Sequence, residues 1–279
     1  MMNTFVAIVL GIVQGLTEFL PISSSGHLVI FQELFGMNDL EESHLLFDTL
    51  LHFGTLLSIF LVYNKDMYYL IKEFFGILTD ISKGEVNIHA SPYRKMIMLL
   101  ITATIPTVII GLLFKDMFDL MFKSIRVVGF TLLFTGFLLS ISNKLISGSK
   151  DEADAKYSNA FIIGLFQGMA IMPGISRSGS TIVAGLLNGF KKEFAVKFSF
   201  LISIPAILGA AVLQIPDLLR QGMDNIIIFP YIAGTLAAAI TGFIAIKFLI
   251  NLLNKGKFYL FSYYCWGVGV FIILYSLFK

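Results

Sequence analysis

The sequence predicts an all-α polytopic membrane protein, with about six transmembrane helices and two re-entrant helical hairpins in an inverted-topology repeat. Three observations predict it. Of 279 residues, 57% are hydrophobic and only 14% charged, against about 25% charged in soluble domains. Several apolar runs reach the ~20 residues that a spanning helix needs. Two further runs are broken by a proline and a Ser/Gly cluster. With 28 Phe and a mean hydropathy of +0.85, a water-soluble globule of this length cannot bury its apolar surface. Soluble enzymes, disordered chains, disulfide scaffolds and coiled coils are excluded.

The elements follow in order. Spans are expected near 46–63, 96–114, 126–146, 197–214, 229–250 and 260–278. The run 3–20 ends at Pro21 and a Ser/Gly cluster, then resumes over 28–36. The run 160–172 ends at Pro173 and a similar cluster, then resumes over 181–189. Each reads as two half-helices joined by a polar turn. Such a turn is tolerated at membrane depth only when buried in protein or lining a watery cavity. Segments 64–95 and 115–125 read as polar connections. The chain is expected to form one membrane domain over 1–279, with repeats at about 1–146 and 158–279 and a linker at about 147–157.

The net charge of +2 and the lack of a long basic run give no reason to expect nucleic acid as a partner. The lone cysteine, Cys265, lies in an apolar stretch and reads as a small core residue. Met1 to Phe5 holds no Lys or Arg and no small-residue cleavage site follows, so the N-terminus does not read as a cleaved signal. With six spans and two returning hairpins, fourteen of the 20 Lys and Arg residues fall on one side. The positive-inside rule makes that side cytoplasmic. Both termini then face outward.

At an offset of 153, Gly11, Gln14 and Gly15 match Gly164, Gln167 and Gly168. Ile22, Ser23, Ser25 and Gly26 match Ile175, Ser176, Ser178 and Gly179. Three spans between the hairpins make the second enter from the opposite face. Broken helices in inverted repeats place a binding site near the midplane, so the two turns should face each other.

The second turn, Gly174 to Thr181, offers an anion cradle. Glycine lets backbone N–H groups approach, Ser176, Ser178 and Thr181 add hydroxyls, and a helix N-terminus favours negative charge. Arg177 supplies a planar donor fork for phosphate. An arginine at mid-membrane costs ~2.5–3.5 kcal/mol on insertion scales, so it reads as functional. The first turn offers Glu18, Ser23, Ser24, Ser25 and His27. Gln14 and Glu18 share a helical face. Ser24 and His27, three apart, are expected to share one as well. A hydroxyl beside an imidazole is the minimum for an activated nucleophile or acid–base pair. Asp48 and His52, four apart, read as a structural pair or as support for the site. His44 and His89 read as solvated. An anion or lipid-phosphate transporter or flippase is the alternative on these residues alone.

The two hairpins resemble the undecaprenyl-diphosphate phosphatase family, known for bacitracin resistance. The resemblance is carried by Gln14 and Glu18, by Phe19 to His27, and by Pro173 to Thr181, and it covers the whole chain. It implies hydrolysis of undecaprenyl diphosphate to undecaprenyl phosphate and inorganic phosphate, recycling the lipid carrier of cell-wall synthesis. It implies a polyprenyl diphosphate lipid as substrate in the bilayer of the bacterial cell membrane, a site open to the outer face, and a divalent cation, Mg²⁺ or Ca²⁺. The family's functional positions fall on Gln14, Glu18, Ser24, His27, Ser176, Arg177 and Thr181. With Gln at position 14, one carboxylate, Glu18, remains to hold the metal with water and substrate phosphates. Catalysis is expected from Glu18, Ser24, His27 and Arg177. Substrate binding is expected from Gln14, Ser23, Ser25, Gly26, Gly174, Ser176, Ser178 and Thr181. The sequence leaves open whether Ser24 or a water attacks, and whether the chain forms a homo-oligomer.

Overall fold

The computed structural model describes residues 3–35, 41–85, 87–142, 148–221 and 228–278, with side chains throughout except at 41–45, 89 and 217–221. The side chains of His44 and His89 and the end of the span expected to reach residue 146 lie outside the described residues. Among those described there are twelve α-helices and no strand.

The first hairpin is α1 (Thr4–Phe19) and α2 (Ser24–Leu34). Asn3 caps α1 by accepting the Val6 N–H at 2.8 Å. The helix stops because Leu20 adopts the extended geometry that a residue before proline prefers, with φ −67° and ψ 143°. Ser23 then opens α2 by accepting the Gly26 N–H at 3.3 Å. The second hairpin is α8 (Tyr157–Met169) and α9 (Arg177–Leu187). Ser176 opens α9 in the same way, at 3.1 Å from the Gly179 N–H.

Among the described residues four helices are each long and apolar enough to cross a membrane: α5 (Pro92–Leu113), α10 (Lys192–Gln221), α11 (Ile228–Asn254) and α12 (Leu260–Phe278). Two more expected spans fall on bent pairs of helices. α3 (Glu41–Val62) turns by 98° into α4 (Asn64–Lys83), and α6 (Lys115–Phe122) turns by 104° into α7 (Ile125–Ile141). All six expected spans therefore have a helix. The connections 64–95 and 115–125 are corrected, since they contain α4 and α6. Their charges are spaced so that apolar residues still line one helical face.

The helix pairing crosses between the two halves of the chain. α1 packs on α11, α8 packs on α5, and α7 packs on α12. Small residues allow the close approach: a Cβ at Gly11 would overlap the Gly234 carbonyl on α11, and one at Gly164 the Ala103 carbonyl on α5. At the other end, salt bridges tie α4 down. Arg94 on α5 holds Glu73 at 2.7 Å and Asp80 at 2.5 Å, and Lys197 on α10 holds Asp66 at 2.5 Å.

Candidate active site

The polar turns of the two hairpins meet. Glu18 ends α1, Ser24 begins α2 and Arg177 begins α9, so three helix termini bring these side chains together. Arg177 Nη2 donates to Glu18 Oε1 at 2.5 Å. Ser24 Oγ donates to Glu18 Oε2 at 2.6 Å, and Gln14 Nε2 donates to the same oxygen at 3.0 Å. The other arm of the guanidinium, Nη1, reaches the Ser199 carbonyl at 3.3 Å. Glu18 is buried. A carboxylate accepts about four hydrogen bonds, so these three donors leave it one position.

A cavity of about 290 Å³ opens beside this cluster. Glu18, Ser24, Ser25, Ser176 and Arg177 line it, joined by Asp48 and His52 from α3 and Gln167 from α8. Ala206, Ile207 and Ala210 of α10 line it as well, together with Gln214 of the same helix. Charged groups, hydroxyls and small apolar side chains thus share one lining. Such a lining offers contacts to both an anionic head and a hydrocarbon tail.

The remaining expected residues stand behind the cavity wall. The Ser178 hydroxyl donates to the Leu20 carbonyl at 3.3 Å, which joins the two turns directly. Thr181 donates to the Arg177 carbonyl at 2.8 Å and meets Ser199 Oγ at 2.6 Å. Gly26 packs on Gly174, where a Cβ would sit 2.9 Å from the Gly174 Cα. Gly174 itself has φ +88° and leaves no room for a side chain beside Thr131. Gln14 touches Glu18 from the far side. Ser23 has φ +72°, the left-handed side of the map that a non-glycine residue rarely occupies.

The expected pairing of Ser24 with His27 is not formed. Ser24 is committed to Glu18. The imidazole turns back, with Nδ1 donating to the Ser23 carbonyl and Nε2 accepting from the Tyr264 hydroxyl, each at 2.8 Å. The acceptor-only carbonyl fixes this tautomer. His27 is buried and stacked on Tyr264, with ring centroids 5.7 Å apart. Its Nδ1 bond ties the imidazole to the residue with the positive φ. The imidazole that does line the cavity is His52. Its Nδ1 donates to the Asp48 carbonyl at 2.8 Å, and its Nε2 lies 4.0 Å from Glu18 Oε2.

Sequence reasoning missed two members of the site. Tyr264 lies 237 residues from His27 in an apolar span, where nothing marks it as different from a lipid-facing aromatic. Gln167 was visible only as the repeat partner of Gln14. Its Nε2 donates to the Ile202 carbonyl and to Thr107 Oγ1, each at 3.3 Å. A carbonyl accepts only, so the amide orientation is fixed. Its Oε1 is left without a partner among the described residues, buried in a side chain that lines the cavity.

Among the described residues no group of three or more His, Cys, Asp or Glu side chains could hold a metal ion. Two carboxylates, Glu18 and Asp48, line this cavity, and both Asp48 oxygens accept from Gln32, at 3.3 and 3.2 Å. Carboxylate oxygens suit a hard cation such as Mg²⁺, which keeps its waters and takes further oxygens from a phosphate.

The family model described as "Bacitracin resistance protein BacA" matches residues 7–271. An undecaprenyl-diphosphatase of Alkaliphilus metalliredigens is 52% identical over 277 residues, covering 99% of this chain and 100% of that protein. Proteins of the same name from Halothermothrix orenii and Carboxydothermus hydrogenoformans are 46% and 42% identical, each covering 98% of this chain and 97% or more of the relative. Both glycine-serine turns and nearly every helix fall inside these matches, and the chain belongs to the bacitracin resistance protein BacA family.

Proposed function

We propose that the chain hydrolyses undecaprenyl diphosphate to undecaprenyl phosphate and inorganic phosphate. The observation that carries the proposal is the convergence of Glu18, Ser24 and Arg177 on one cavity that apolar side chains of α10 also line. The names of the relatives point the same way. The prenyl tail lies along the Ala206 and Ala210 side of α10, and the diphosphate reaches the turns. The substrate phosphate competes with Glu18 for the Arg177 guanidinium. As Arg177 passes to the phosphoryl oxygens, Glu18 keeps the Ser24 hydrogen bond and is free to take its proton.

Ser24 Oγ then attacks the terminal phosphorus. The Oγ–P bond forms, the P–O bond to the bridging oxygen breaks, and undecaprenyl phosphate leaves with those electrons. A water molecule next attacks the phosphoserine. The P–Oγ bond breaks, phosphate leaves, and Glu18 returns the proton to Ser24. His27 acts through Ser23, holding the turn that aims Ser24. A divalent cation, Mg²⁺ or Ca²⁺, held by Glu18 and Asp48, would neutralise charge on the diphosphate oxygens. Most of the catalysis is positioning and charge neutralisation, as is usual for phosphoryl transfer.

The hairpins belong to an inverted repeat in a single membrane domain. The exchange of partners, α1 on α11 and α8 on α5, supports this reading. The protein sits in the bacterial cell membrane, with its basic side cytoplasmic, both termini outside and the cavity open to the outer face. The Lys and Arg distribution supports that orientation.

The test is phosphate release from undecaprenyl diphosphate by the purified protein, with Mg²⁺ and with chelator. Wild type is compared with Glu18→Ala, Ser24→Ala and Arg177→Ala. Metal-dependent release that collapses in all three is expected. No release from folded wild-type protein would overturn the assignment and leave a lipid-phosphate binding site.

A further inference from the structure

Helix α4 carries three kinds of side chain on three separate faces. Asp66, Glu73 and Asp80 are spaced by seven, which places them within about 40° of one another. All three are spent on the protein, Asp66 on Lys197 and the other two on Arg94. Met67 and Leu70 pack into the core beside them. Tyr68, Ile71, Phe75 and Leu78 follow the i, i+3, i+7, i+10 pattern of a helical stripe. They are 63%, 46%, 61% and 46% exposed. Lys65, Lys72 and Lys83 are spaced by seven and eleven, so they align within about 20°. All three are exposed, and none makes an ion pair among the described residues.

The direction of the helix gives these faces a meaning. α3 covers the span expected at 46–63, and α4 turns from it by 98°. A helix at a right angle to a span runs along the membrane surface. Its apolar stripe also continues the exposed apolar surface of the adjoining end of α3, where Phe60 and Leu61 are uncovered. The lysine row flanks that stripe on the side away from Met67 and Leu70. An amphipathic helix with an aromatic stripe and a flanking basic row is the pattern that lies in a lipid interface. Here the acidic residues that would oppose such contact are all withdrawn into salt bridges.

We propose that α4 is an interfacial helix. It rests Tyr68, Ile71, Phe75 and Leu78 at the boundary of acyl chains and headgroups, and it sets Lys65, Lys72 and Lys83 on anionic lipid headgroups. The occupant is a lipid surface because the stripe is continuous with a spanning helix. The lipid is anionic because the unpaired charges on this face are all positive.

The test uses the full-length protein in nanodiscs of phosphatidylcholine, with or without one-third phosphatidylglycerol. A nitroxide is attached at Phe75→Cys, and a control at the exposed loop position Ser149→Cys. Native Cys265 is buried and escapes labelling. Collision with an aqueous nickel chelate reports exposure to water. Low nickel access at 75 and high access at 149 are expected with the anionic lipid. Each lysine should favour docking about five-fold, so omitting the anionic lipid, or introducing K65Q/K72Q/K83Q, should raise access at 75 several-fold. K65R/K72R/K83R should not. Equal access at 75 and 149 in every disc would overturn lipid contact. Access at 75 that ignores both lipid charge and the lysines would overturn the anionic assignment. Dipolar broadening between labels on two chains would show that a second copy covers the face, and would also overturn it.

Discussion

Replacing Arg177 by lysine isolates what the guanidinium contributes beyond its charge. The fork serves two partners at once, Glu18 Oε1 through Nη2 and the Ser199 carbonyl through Nη1. A lysine ammonium is a single point with a flexible stem and cannot span both. Arg177→Lys therefore keeps the counter-charge of the buried carboxylate and loses one charge-assisted hydrogen bond. Such a bond is worth about 1.5–3 kcal/mol. If phosphate takes the Glu18 side of the fork, the loss falls on the transition state. The kcat/KM for phosphate release should then drop roughly 10- to 150-fold. Arg177→Ala should be worse in two ways. It removes the charge as well, and it leaves Glu18 unpaired, which for a buried pair costs about 3–5 kcal/mol of stability. The assay is steady-state phosphate release in detergent, with size-exclusion behaviour as the folding control. Arg177→Lys within three-fold of wild type would refute the argument, because charge alone would then suffice.

Ser24→Ala should reduce kcat by at least 10³-fold with little change in KM, and a rapid acid quench of wild type should contain phosphoserine at position 24. Ser23→Gly should be neutral or slightly stabilising in thermal unfolding, since it relieves a strained φ worth about 1–3 kcal/mol and loses only a few tenths as a cap. Ser23→Val should destabilise, because a branched side chain worsens the strain. Gln167→Met should lower kcat about ten-fold or more while Thr107→Val does not. That difference would assign the effect to Gln167 itself rather than to its bond with Thr107. Gly164→Leu should destabilise by at least about 1–3 kcal/mol, the ordinary cost of overpacking, because its side chain has to displace the Ala103 carbonyl. Thermal unfolding measures it.

Hydrophobic length alone found α3, α5, α7, α10, α11 and α12, because a spanning helix must keep about twenty residues apolar. The prolines and serine clusters found both hairpins for a similarly direct reason, since proline ends a helix and Ser23 and Ser176 start the next. The helices α4 and α6 escaped. Their charges made them look like connections, and an amphipathic helix differs from a polar loop only in the phase of its charges. Glu18, Ser24 and Arg177 were legible because charge and hydroxyls are rare in such a chain. The partners of His27 were not. A three-residue spacing brings Ser24 and His27 to neighbouring positions, but χ angles decide where the ring goes. Tyr264 gives no local signal at all.

The crossed pairing of the halves constrains how the protein is made. Glu18 and Arg177 are 159 residues apart. At about 5–20 residues per second, the ribosome needs roughly 8–30 seconds between them. For that interval the first hairpin holds a carboxylate with no cation, and α1 lacks the α11 surface it packs on. The first segment synthesised is thus among the last to settle. Until the C-terminal helices arrive, α1 and α2 are a natural client for whatever shelters unfinished polar segments at the translocon.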